Sequence, residues 1–133
     1  MLVIPKAYID GMISRSLEED PNECCGILVG TRDQVHKLYR ARNVEASPVK
    51  YLIDPKDMFR AYSEAEQNDW DIVAFYHSHT TSEAYPSPTD VRLSTWPESL
   101  YILVSLQDYT DPVVRGFHIV EGKVSEEELV IED

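Results

Sequence analysis

Apolar residues along the chain recur at two spacings, and the switches between them lay out the elements. Leu2, Val3 and Ile4 form a short apolar run that reads as a strand. Pro5 then opens a segment in which Ile9, Met12, Ile13 and Leu17 share one helical face. Asp20, Pro21 and Asn22 end that helix. Strands are predicted at about 24–30, 35–42 and 50–53, with Asn43 to Pro48 as a loop. Asp54 caps a second helix with Pro55 in its first turn, and Met58, Phe59, Tyr62 and Ala65 are expected to make its inner face. Residues 72–76 (Ile-Val-Ala-Phe-Tyr) form a strand that leads into His77. A loop over 79–87 follows, then a short helix from Pro88 that stops before Pro97. Strands near 100–106, 112–120 and 127–131 complete the chain, with Glu126, Glu127 and Glu128 expected as a solvated turn before the last. This alternation places the chain in the α/β (α+β) class, as one domain over 1–133 with a mixed sheet and helices packed on it.

The chemistry concentrates at the end of the strand over 72–76. His77 and His79 are one residue apart, and on an extended strand such a pair points to the same side. Two neutral imidazoles and a carboxylate make a three-ligand set for zinc that leaves a fourth position open, and Asp90 is the carboxylate we select. A plainer reading also exists. Ser87, Pro88 and Asp90 stand at the N-cap, N1 and N3 positions of a capping-box-like helix start. Both readings can hold at once, because a first helical turn would fix Asp90 rigidly. Upstream, Glu23 precedes the apolar run from Cys24 to Val29, which reads as a buried strand. A carboxylate at the mouth of such a strand is either a solvated loop end or a base for water attacking an amide.

With 24 acidic and 12 basic residues the formal charge is −12, which repels phosphates and argues against nucleic-acid binding; a basic or neutral protein partner would be steered favourably. No stretch approaches the roughly 20 apolar residues of a membrane span, and the start, Met1 to Ile4, is too short for a signal-peptide core. The two cysteines, Cys24 and Cys25, are adjacent, so on a strand they point to opposite faces and are expected as small core residues in a reducing cytoplasm.

Glu23 followed by His77-x-His79, seven residues, Ser87-x-x-Asp90 resembles the motif of the JAMM (JAB1/MPN/Mov34) zinc metallo-isopeptidases. The Pro21-x-Glu23-x-Cys25-Gly26 context is similar to that of the short prokaryotic members. The stretch from Tyr76 to Thr80, through Glu83 to Ser87 and on to Val91, most closely resembles bacterial enzymes that release cysteine from a ubiquitin-like sulfur-carrier protein. The resemblance implies a curved, mixed, largely antiparallel sheet flanked by helices, with one zinc per chain held by His77, His79 and Asp90. It further implies Glu23 as the proton-transferring base and Ser87 as a hydrogen-bond donor to the developing oxyanion. The implied substrate is the bond after the C-terminal Gly-Gly of a sulfur carrier, serving cysteine biosynthesis. Removal of ubiquitin-like modifiers from lysine (a desampylase or deubiquitinase activity) and a non-catalytic scaffold of the same fold are the alternatives. Thr80 stands where many deubiquitinating members have Pro, and a chain of 133 residues has no room for the insertions of the eukaryotic enzymes. A cupin site would use His77, His79, Glu83 and His118, but Asp71 stands where that pattern wants Gly. A zinc deaminase would need His-x-Glu and Cys-x-x-Cys, and both are missing.

Overall fold

The computed structural model describes residues 1–133. The chain runs β1 (Leu2–Pro5), α1 (Lys6–Glu19), β2 (Cys25–Thr31), β3 (Gln34–Ala41), α2 (Pro55–Gln67), β4 (Asp71–His79), α3 (Pro88–Leu93), β5 (Leu100–Ser105), β6 (Val113–Val120), β7 (Lys123–Glu127) and β8 (Leu129–Glu132). All eight strands join one sheet in the order β7-β6-β5-β4-β2-β3-β1-β8. The pairs β2–β3, β2–β4, β5–β6 and β6–β7 are antiparallel, whereas β4–β5, β1–β3 and β1–β8 are parallel. The result is a mixed, sheet-dominated α+β fold.

Strands β7 and β8 occupy opposite edges of the sheet, yet Glu128 alone connects them. The sheet must therefore curl until its edges meet. Leu129 of β8 packs so closely on Gly116 of β6 that a Cβ there would lie 2.8 Å from its side chain. One face of this curl buries Leu2, Ile4, Leu28, Tyr76 and Ile102 against Ile9 and Met12 of α1. The other buries Ile27, Val29, Tyr39, Phe75 and Tyr101 against Ala61 and Ala65 of α2. Gly26 has a packing reason: the Tyr76 ring crosses it from β4, and an added Cβ would come within 2.1 Å of that ring.

Four expectations need correction. No strand forms over 50–53; only an isolated bridge joins Asn43 and Ile53. The backbone groups that a strand would have paired, Leu52 N–H and Lys50 C=O, bond instead to the Asn43 carboxamide. On α2, Phe59 and Tyr62 face out at 73% and 51% exposure, and the buried stripe is Ala61 and Ala65 beside Met58. The sheet face beneath already carries Tyr39, Phe75 and Tyr101, so small residues let the helix approach. On α1, Leu17 is exposed and Ser16 is buried, satisfied by donating its hydroxyl to Met12 C=O at 2.8 Å. Finally, Glu126 and Glu127 belong to β7, with Glu128 as the connector. Their charge is absorbed locally: Glu126 pairs with Arg115, and Glu127 with His118 and the N-terminal amine.

Candidate metal centre

Cys25 pairs with His77 in the antiparallel β2–β4 ladder. The ladder continues through Ser78, whose N–H donates to Cys24 C=O at 3.1 Å and whose Oγ accepts from Cys24 N–H at 2.8 Å. Extending the register one step sets Glu23 opposite His79. Opposed residues of an antiparallel pair share a face, so Glu23, Cys25, His77 and His79 continue the face that carries Ile27 and Phe75. Asp90 arrives from another direction. Ser87 caps α3 by accepting from Asp90 N–H at 3.1 Å, and Asp90 Oδ2 accepts from Ser87 N–H at 2.9 Å. The capping box and the approach of Asp90 to the histidines are therefore one arrangement.

The three donor atoms converge. His77 Nε2 and His79 Nε2 are 3.2 Å apart, and Asp90 Oδ2 is 3.3 Å from the first and 3.0 Å from the second. Zinc bonds of about 2.0–2.1 Å in a tetrahedron place neighbouring ligand atoms about 3.3 Å apart, so these separations fit one triangular face around such an ion. Tautomer chemistry agrees. His79 Nδ1 lies 2.9 Å from Glu83 C=O, which can only accept, so Nδ1 carries a proton. In neutral His79 the Nε2 lone pair then faces the other two donor atoms, the orientation in which a hydrogen bond at Nδ1 prepares a histidine to bind a metal through Nε2. Three electron-rich atoms this close repel unless a cation or a proton lies between them.

The electrostatics have clear causes. His77 is buried, and that burial lowers its tendency to protonate. Burial also disfavours charge on Asp90, but when protons and not a metal lie between the donors, Nε2–H bonds from the two histidines outweigh it and hold the carboxyl far below the usual range. For His79, burial opposes protonation, while Asp90 and the Glu83 carbonyl prevail and raise it. Glu23 is 6% exposed, and its Oε1 has no hydrogen-bond partner. Desolvation pushes its carboxyl up to about 7, with His79 opposing and Asp90 adding to the rise. A buried carboxylate without a protein partner, opposite a candidate metal-ligand set, is suited to hold a water and trade a proton with it.

The structure thus brings together all five residues singled out in the sequence: Glu23, His77, His79, Ser87 and Asp90. It leaves out the cupin candidates. His118 pairs with Glu127 at 2.9 Å, and Glu83 enters through its backbone carbonyl. Cys24 and Cys25 are buried free thiols, and burial raises both, Cys25 to about 12, which suits core packing and not nucleophilic attack. Two further neighbours carry no signal in the local sequence pattern. Tyr51 stacks on His77 with ring centroids 4.2 Å apart, and Asn43 bonds to the Glu23 carbonyl at 2.9 Å. Tyr51 lies in a segment whose residues predict a strand. Asn43 sat in a loop, where an Asn signals a turn more readily than a contact.

Residues 5–117 match the description of prokaryotic homologs of the JAB domain. The chain is 37% identical over 129 residues to a CysO-cysteine peptidase of Mycobacterium tuberculosis, covering 96% of this chain and 88% of that one. It is 30% identical over 132 residues to a desampylase of Pyrococcus furiosus, covering 98% and 91%. Among solved structures, protein DSY2949 of Desulfitobacterium hafniense superposes with a TM-score of 0.90 at 31% identity, over 100% of this chain and 94% of that one.

Proposed function

The chain belongs to the prokaryotic JAB-domain family, and from that premise we propose that it is a zinc-dependent peptidase. Its substrate in this reading is the bond after the C-terminal Gly-Gly of a ubiquitin-like sulfur-carrier protein, and the product is free cysteine for cysteine biosynthesis. The observation that carries the chemistry is the convergence of His77 Nε2, His79 Nε2 and Asp90 Oδ2 within 3.0 to 3.3 Å, with the unpartnered Glu23 carboxyl opposite His79. The substrate rests on similarity to the CysO-cysteine peptidase along 96% of the chain.

His77, His79 and Asp90 would hold one zinc ion per chain. When bound there, the ion supplies Lewis acidity to water and to the scissile carbonyl. Glu23 accepts the proton of the attacking water and returns it to the departing amine. Its burial without a protein partner serves both halves, since desolvation raises its affinity for the proton it takes from water and leaves its oxygens free to hand that proton on. Ser87 accepts from Asp90 N–H through its oxygen, which leaves its own O–H free to donate to the developing oxyanion. The substrate tail would add to a sheet edge as an extended strand. No helix is long and apolar enough to cross a membrane, and two free buried thiols suit a reducing cytoplasm.

The 30% identical desampylase supports a second reading, removal of a ubiquitin-like protein from a lysine side chain. Incubating the zinc-loaded protein with sulfur carriers that bear either a C-terminal cysteine or a lysine isopeptide, and following intact mass, separates the two. Faster loss of cysteine supports the first reading and faster loss of the isopeptide the second. Loss of neither, with zinc bound, overturns the peptidase assignment in favour of a non-catalytic scaffold.

A further inference from the structure

Nothing fixes the Glu23 carboxylate through its own oxygens, since Oε1 has no partner. Its placement must come through its backbone, and the loop over 43–53 holds that backbone at both ends. Glu23 N–H donates to Ser47 C=O at 2.8 Å, and Glu23 C=O accepts from Asn43 Nδ2 at 2.9 Å. The Asn43 carboxamide is fully used. Its second Nδ2 proton reaches Lys50 C=O at 3.1 Å, and Oδ1 accepts from Glu45 N–H and Leu52 N–H, both at 3.0 Å. Lys50 and Leu52 flank Tyr51, whose ring lies on His77 at 4.2 Å. One side chain thus ties the proposed base to the loop residue that stacks on a proposed metal ligand. Ala46, at φ 45°, shows how tightly the loop tip is folded over this hub.

We propose that Asn43 is a positioning residue for the reaction: its carboxamide locks Glu23 and Tyr51 into one rigid unit, so that the base and the His77 ring keep a fixed separation. The inference rests on the reading of Glu23 as the base. Asn43 acts through Glu23 and touches no reacting atom.

The test uses the zinc-loaded full chain and a carrier–cysteine adduct. Asn43→Ala and Asn43→Asp should keep wild-type zinc content and lose between about 10-fold and 100-fold in kcat, as displacement of a catalytic group does, with KM changed less than about twofold. In a Glu23→Gln background the same Asn43→Ala change should cost less than about twofold, because the base it positions is gone. Trypsin cleavage after Lys50, whose carbonyl Asn43 holds, should accelerate in both variants even without metal, and not in Glu23→Gln. Wild-type kcat in the variants overturns the proposal. So does an equal loss in both backgrounds, which marks Asn43 as a structural residue only. If Asn43→Ala fails to fold, Asn43→Ser, whose hydroxyl can still donate to one of the two carbonyls, carries the same comparison. Failure of the base assignment shows separately, as full activity of Glu23→Gln alone.

Discussion

The Nε2 atoms of His77 and His79 face each other across 3.2 Å, with Asp90 Oδ2 within 3.3 Å of both. The Glu83 carbonyl holds the His79 proton on Nδ1, so in the neutral ring the Nε2 lone pair points into this cluster. We predict about one zinc per chain by elemental analysis and a melting temperature that rises with zinc concentration, since a ligand bound only by the native state stabilises it. His77→Ala and Asp90→Ala should each lose most of the metal. Undiminished zinc in both would discard this ligand set.

Glu23→Gln keeps the size and polarity of the side chain but cannot take a proton. Zinc content should stay at the wild-type level while kcat falls on the order of 100-fold or more, the range expected for a general base. Loss of metal in this variant would make Glu23 a ligand, and full activity would place the base elsewhere, with Glu83 the next residue to substitute.

Burial raises the Glu23 carboxyl from 4.5 to about 7, and this gives the metal-free protein a pH dependence of known sign. Below pH 4.5 the group is protonated in both the folded and unfolded states and costs nothing. Between 4.5 and 7 the unfolded chain releases the proton first, so folding loses stability as pH rises, and above 7 the full penalty stands. The rise corresponds to roughly 3 kcal/mol. Chelator-treated Glu23→Gln should therefore be more stable than wild type at pH 8 by roughly that amount, with the gap closing at pH 5. Urea unfolding at both pH values measures it, and a gap that does not change with pH would refute the desolvation account.

Ser87 caps α3 and is proposed to donate to the developing oxyanion, and Ser87→Ala removes both. Loss of the cap on α3 should cost about 1 kcal/mol, measurable by denaturation of the zinc-loaded protein. Loss of the free hydroxyl should lower kcat by less than Glu23→Gln does, with zinc retained. An unchanged kcat would confine Ser87 to the cap.

The spacing of His77, His79, Ser87 and Asp90 was legible because each depends on local geometry. A strand repeats every second residue, and a helix start sets its N-cap and N3 side by side. The main elements were legible for the same reason, since runs such as 72–76 and the face of Ile9 and Met12 report their own period. Local pattern could not reveal how those pieces meet. That Glu23 stands opposite His79 follows from the β2–β4 register, which is set by the pairing of Cys25 with His77. The direction of the α2 face was decided by bulk already present on the sheet, which favoured Ala61 and Ala65 over Phe59 and Tyr62. The segment at 50–53 carries strand-like residues, but the Asn43 carboxamide captured its backbone groups and left Tyr51 free to lie on His77. Sequence determined which chemical groups are present and the local geometry of each element. Tertiary structure alone decided their separations, their solvation and hence the proton affinity of Glu23, because those depend on neighbours that are distant along the chain.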